Sequence, residues 1–98
     1  MDIEFIGLKS LNDDEIITIN RVIRNEMKNI KRDVPNSKVI IRIKKGDIEG
    51  RRCRYSLQAR LDNPSIQFSA QSEEWDLPKA VHKIFGKLSN EIHRNFKD

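Results

Sequence analysis

Arg52-Cys53-Arg54-Tyr55-Ser56-Leu57-Gln58-Ala59-Arg60-Leu61 has the cleanest alternation in the chain. Cys53, Tyr55, Leu57, Ala59 and Leu61 share one face of an extended strand. Arg52, Arg54, Ser56, Gln58 and Arg60 share the other, because successive strand side chains point to opposite sides. A strand with one apolar and one cationic face belongs to a sheet covered on one side only.

The same period continues on both sides. Upstream, Val39, Ile41 and Ile43 alternate with Ile40, Arg42 and Lys44. Gly46-Asp47-Ile48-Glu49-Gly50 between the two runs reads as a polar, glycine-bounded hairpin loop. Downstream, Asp62-Asn63-Pro64 reads as a turn. Ile66, Phe68 and Ala70 then alternate with Ser65, Gln67, Ser69 and Gln71 as a further strand. At the N-terminus, Asp2 to Leu8 reads as a short strand, with a break offered at Gly7.

Two stretches have helical period instead. Ile16, Ile19, Ile23, Met27 and Ile30 step by three and four. Asn12 or Asp13 can cap that helix, and the acids Asp13, Asp14 and Glu15 suit its positive end. Pro35 ends it, and Asn36-Ser37 fits a turn. Leu77, Val81, Ile84, Phe85, Leu88, Ile92 and Phe96 form the second stripe, with Asp76 as cap and Pro78 in the first turn. Glu73 and Glu74 are read with Asp76 as helix-start acids. Gly86, inside this helix, is read as a mark of close approach to the sheet or the other helix.

The order is β-α-β-β-β-α, an α+β class. The simplest packing lays both helices on one face of a four-stranded sheet. The other face then presents Arg42, Lys44, Arg52, Arg54, Ser56, Gln58, Arg60, Gln67 and Ser69, with no carboxylate among them. Residues 1–98 are expected to be a single domain, within the usual size range. A monomer is favoured.

Charge is placed unevenly. Residues 38–60 hold eight Lys/Arg against two Asp/Glu, whereas residues 1–37 hold six against seven and residues 61–98 five against six. The middle segment is therefore +6 and each flank −1, the footprint of a polyanion binder. Cys53 is the single cysteine, so no internal disulfide is possible. With neither a leader-type N-terminus nor a long apolar run, a reducing cytoplasm is expected, and no membrane segment.

The stretch Ala70 to Lys97, AQSEEWDLPKAVHKIFGKLSNEIHRNFK, resembles the last strand and helix of the ribosome hibernation-promoting factor family, also called ribosome-associated inhibitors or sigma-factor modulation proteins. The helix pattern is carried by Ala80, Val81, Ile84, Phe85, Lys87 and Leu88. Ile3-x-Phe5-x-Gly7 resembles the family's first strand. Asp76-Leu77-Pro78 departs from it, because the family often has a tyrosine after the aspartate and hydrophobic residue. The resemblance is to the short members. It implies binding to the small ribosomal subunit and its rRNA in the channel used by mRNA and tRNA, with translation blocked while the ribosome idles, as in a stress response. It also implies RNA-contacting cations at Lys83, Lys87, Arg94 and Lys97, and by a looser match at Lys28 and Arg32.

RNA suits these residues chemically. Lys and Arg neutralise phosphates, Arg can grip two phosphate oxygens at once, and Ser and Gln can meet 2′-hydroxyls. The candidate RNA-binding residues on the sheet are Arg42, Lys44, Arg52, Arg54 and Arg60. Phe5, Tyr55, Phe68, Phe85 and Phe96 fall on core faces, which disfavours base stacking on an open aromatic sheet. Trp75 precedes the helix cap and either staples the helix start or meets a partner.

Nothing in the sequence proposes a reaction. His82 and His93 are separated by roughly 16 Å along a helix, too far to share a metal. Cys53 sits on an apolar face. No phosphate loop, nucleophile elbow or zinc pattern occurs. A non-enzyme without cofactor, metal or small-molecule substrate is expected. Two other readings stay open: a generic structured- or double-stranded-RNA-binding module, and a protein-interaction domain using the open sheet face.

Overall fold

A computed structural model describes residues 3–48, 52–64 and 67–96. The elements are β1 (Ile3–Ile6), a short 3-10 turn (Leu8–Ser10), α1 (Asp13–Asp33), β2 (Lys38–Ile48), β3 (Arg52–Asp62), β4 (Gln67–Glu74) and α2 (Leu77–Phe96). The strands form one sheet in the order β1-β2-β3-β4. β1 and β2 are parallel, and the other two pairings are antiparallel. The parallel pair requires a crossover, which α1 supplies.

Both helices cover one face, as the alternation predicts. Val39, Ile41 and Ile43 of β2, Leu57, Ala59 and Leu61 of β3, and Phe68 of β4 point into the core. Ile19, Ile23, Met27 and Ile30 meet them from α1, and Val81, Ile84, Phe85, Leu88 and Ile92 from α2. Each of these side chains larger than alanine contributes about 1.5–3 kcal/mol by leaving water.

Local chemistry sets the helix ends. Asn12 Oδ1 accepts from the Glu15 N–H at 2.8 Å, and Glu15 Oε1 accepts from the Asn12 N–H at 2.9 Å. This reciprocal box satisfies two otherwise orphaned donors. α1 closes where the Val34 N–H donates to the Ile30 carbonyl, just before Pro35, and Asn36 turns the chain at φ 67°. Asp76 Oδ2 caps α2 by accepting from the Lys79 N–H at 3.0 Å.

Four details differ from the expectations. β1 stops at Ile6 and Leu8 joins the 3-10 turn, because Gly7 turns left-handed at φ 93° against the Ile43 carbonyl, where a Cβ would collide. β2 does not stop before Gly46: it runs to Ile48, with Gly46 opposite Arg54 and Ile48 opposite Arg52. Cross-strand pairing there outweighs the loop-like composition. β4 continues through Glu73 and Glu74, paired with Ser56 and Tyr55, so only Asp76 serves the helix start. Finally, Gly86 is exposed and a Cβ there would meet nothing within 4 Å, so it marks no close approach. The strand positions at Asp2, Ser65 and Ile66 and the turn at Glu49 and Gly50 lie outside the described residues, as does the Phe96 side chain.

Candidate nucleic-acid interface

Strand register turns the open face into a grid. Lys38, Asp62 and Gln67 form one row across the sheet. Glu4, Ile40, Arg60 and Ser69 form the next, then Ile6, Arg42, Gln58 and Gln71, then Lys44, Ser56 and Glu73. Gly46 and Arg54 follow on the β2–β3 ribbon. Rows lie about 6.8 Å apart, two residues of strand rise.

The whole face is less purely cationic than its nine sequence-predicted side chains. Glu4, Asp62 and Glu73 also stand on it, and each faces a basic neighbour. Glu4 lies 3.8 Å from Lys38, Asp62 Oδ1 accepts from Arg60 at 3.0 Å, and Glu73 lies 2.6 Å from Arg54. Hydrogen bonds from the Gln67 amide at 2.9 Å and from Arg60 hold the Asp62 carboxyl below its usual value. These pairs are exposed, so each holds the side chains with little net energy. A phosphate can therefore compete for the same cations. Arg42 and Lys44, at the middle of β2, have no carboxylate within ion-pair distance among the described residues.

The β4 edge brings helix cations to the sheet. A groove of about 490 Å³ is lined by Arg54, Ser56, Gln71, Glu73, Lys83 and Lys87. Lys87 Nζ donates to the Gln71 carbonyl at 2.5 Å, covering an acceptor of the edge strand. Lys83 Nζ sits 3.6 Å from Glu74. Trp75 is 46% exposed at the end of this edge, with the Arg54 guanidinium 5.8 Å from its ring. That is cation–π distance.

Arg42, Lys44, Arg54, Arg60, Lys83 and Lys87 thus border one continuous surface. Lys28, Arg32 and Arg94 do not join it. They stand exposed on the helix layer, on the far side of the sheet, where Arg32 pairs with Asp33 at 3.3 Å and Arg94 with Glu91 at 3.4 Å. The Arg52 side chain and all of Lys97 lie outside the described residues. His82 and His93 bridge the helices, His82 Nδ1 lying 2.9 Å from Glu26 and His93 Nε2 3.9 Å from Asp33.

One cluster behind the face has no counterpart in the sequence reading. Glu15 Oε1 accepts from Lys45 Nζ at 2.9 Å, and Glu15 Oε2 accepts from the Tyr55 hydroxyl. Burial by itself would raise the Glu15 pKa, but Tyr55, the Asn12 N–H and Lys45 lower it below its ordinary value. Burial, then the Glu15 hydrogen bond and charge, push the Tyr55 hydroxyl up. Lys45 is thereby committed to the helix side of the sheet. No local pattern joins residues 30 and 40 positions apart, so only the fold reveals this contact.

No family model and no curated protein sequence matches the chain. Solved structures do. A ribosomal subunit interface protein from Coxiella burnetii superposes with a TM-score of 0.69 at 16% identity, covering 100% of both chains. The N-terminal domain of Protein Y from Thermus thermophilus superposes with a TM-score of 0.57 at 15% identity, covering 94% of this chain and 93% of that one. The chain has the fold of both. Among the described residues no helix is long and apolar enough to cross a membrane, and no three His, Cys, Asp or Glu side chains converge as a metal site would require.

Proposed function

We propose that this protein is a ribosome-associated translation inhibitor that binds small-subunit rRNA in the channel used by mRNA and tRNA. The observation that carries this reading is end-to-end likeness to a structure described as a ribosomal subunit interface protein, with both chains covered completely. The sequence resemblance to short hibernation factors points the same way. The open face supplies suitable chemistry: Arg42 and Lys44 for phosphates, Arg54, Arg60, Lys83 and Lys87 around them, and Ser56, Gln58 and Ser69 for 2′-hydroxyls. A face that reads backbone and shape needs no bond-making step. Occupying the channel is enough to exclude tRNA and mRNA. On this reading the chain acts in the cytoplasm as one domain and as a monomer.

Sucrose-gradient sedimentation with excess ribosomes at low salt tests the proposal. The protein should travel with the ribosome peak and leave it as salt rises, because phosphate contacts release counterions. Protein left at the top of the low-salt gradient overturns it. Equal affinity for a plain RNA duplex would replace it with a generic duplex-binding module.

A further inference from the structure

We propose that the row Ile6–Arg42–Gln58–Gln71 is a binding site for a single unpaired nucleotide, a function distinct from phosphate neutralisation across the rest of the face. This rests on reading the open sheet face as an RNA surface.

The row differs from its neighbours in composition. It contains no carboxylate, whereas the flanking rows contain Glu4 and Glu73, and the outermost Asp62. Those three acids lie beside Lys38, Arg54 and Arg60, respectively. Arg42 is left as a cation on an inner strand with no acid in reach among the described residues. The row also borders a depression of about 630 Å³, within the range of small-ligand pockets.

Its apolar part has no role in the core. Ile6 is 40% exposed and points away from the helices, with Ile40 diagonal to it on β2. Two isoleucines on an otherwise polar face make an apolar ledge beside a guanidinium plane. The sheet aromatics point inward, so an unpaired base on this face rests on the isoleucine ledge, and the guanidinium beside it takes the phosphate. The ledge adds dispersion contact to the ring.

The polar part fits a base edge. Gln58 and Gln71 are direct cross-strand partners. Each amide offers both donors and an acceptor, so the pair can match the mixed donor–acceptor edge of a nucleobase. A duplex hides those edges in base pairs and a bare anion has none. The site therefore selects a splayed-out nucleotide, with the base on Ile6 and Ile40, its edge toward the glutamines and its phosphate on Arg42.

Methyl NMR of isoleucine-labelled full-length protein tests this with three probes: a uridine trinucleotide, a short blunt RNA duplex and inorganic phosphate. The trinucleotide should shift the Ile6 and Ile40 methyls saturably, and the other two probes should not. Arg42→Ala and Gln71→Ala, both surface changes, should each weaken trinucleotide binding by roughly tenfold. Lys28→Ala on the helix layer should leave it unchanged. Unmoved Ile6 and Ile40 methyls overturn the proposal, as do equal shifts with phosphate or with the duplex. Gradient sedimentation of the same sample separates the two readings. Ribosome binding without methyl shifts removes only the nucleotide site. Methyl shifts without ribosome binding remove the ribosome and keep the site.

Discussion

Replacing Glu15 with alanine should cost far more than its place in a helix first turn implies. Three interactions end on this carboxylate: the Asn12 N–H of the capping box, the Tyr55 hydroxyl and the Lys45 ammonium. Its side chain is 14% exposed and that of Lys45 is 20%, so water replaces the lost partners poorly. The cap arm contributes about 1 kcal/mol. A hydrogen bond to a charged acceptor contributes about 1.5–3 kcal/mol. With Lys45 losing its counter-ion, a loss of about 3 kcal/mol is expected, set against a typical domain stability of about 5–15 kcal/mol. The corresponding fall in Tm is about 12–24 °C. Urea unfolding read by circular dichroism gives the number directly. In a double-mutant cycle with Tyr55→Phe, the two changes should couple by about 0.5–3 kcal/mol. A loss under about 0.5 kcal/mol, the level of an ordinary surface change, would refute the reasoning, as would strict additivity.

The same cluster gives the stability a defined pH window. Glu15 is held below its ordinary value of 4.5 in the folded state, so the unfolded chain takes up the proton first as pH falls. That contribution is complete above 4.5 and disappears as pH falls through the folded-state value. Tyr55 is raised above its ordinary 10.0, so its contribution is complete below 10.0 and is lost as pH rises past it. The stability difference between wild type and Glu15→Ala should therefore be flat near neutrality and shrink at both extremes. A difference unchanged in acid would contradict the assignment.

Other outcomes follow from the packing and the charge map. Gly7→Ala places a Cβ against the Ile43 carbonyl in a left-handed backbone, and should destabilise by about 1–3 kcal/mol in urea unfolding. Gly86→Ala meets open space on an exposed helix face and should stabilise by about 1 kcal/mol in the same assay. Phe85→Ala empties the core under α2, where Phe85 is 1% exposed, and should cost about 3–5 kcal/mol. Arg42→Glu with Lys44→Glu should weaken ribosome binding at least about tenfold and lower the logarithmic salt slope by about 2, whereas Lys28→Glu with Arg32→Glu on the helix layer should change neither comparably.

Periodicity made most of the fold legible. The alternation from Cys53 to Leu61 and the stripe from Ile19 to Ile30 correspond to buried or half-buried faces with no slip of register. What escaped is what pairing decides. Gly46 through Ile48 look like a loop in isolation, yet they have partners in Arg54, Cys53 and Arg52. Glu73 and Glu74 look like helix-start acids, yet β3 holds them in a strand. The candidate surface was half legible for the same reason. Alternation places Arg42, Arg54 and Arg60 on one face, but only the structure shows that Glu73 and Asp62 answer two of them and that, among the described residues, Arg42 has no carboxylate within ion-pair distance. Lys83 and Lys87 reach that surface because α2 lies along the β4 edge, while Lys28, Arg32 and Arg94, equally basic in sequence, are carried to the other side. Alternation already sets Ile40 on the face opposite Val39, Ile41 and Ile43, and the single-sided packing of the helices leaves Ile40 half-buried and Ile6 exposed.

Binding to isolated small ribosomal subunits, vacant or preloaded with mRNA and tRNA, tests the proposed role most directly. Labelled protein should bind vacant small subunits at low salt, be excluded from preloaded ones, and show no comparable affinity for large subunits. Equal binding to vacant and preloaded small subunits, or preference for the large subunit, would contradict occupation of the channel.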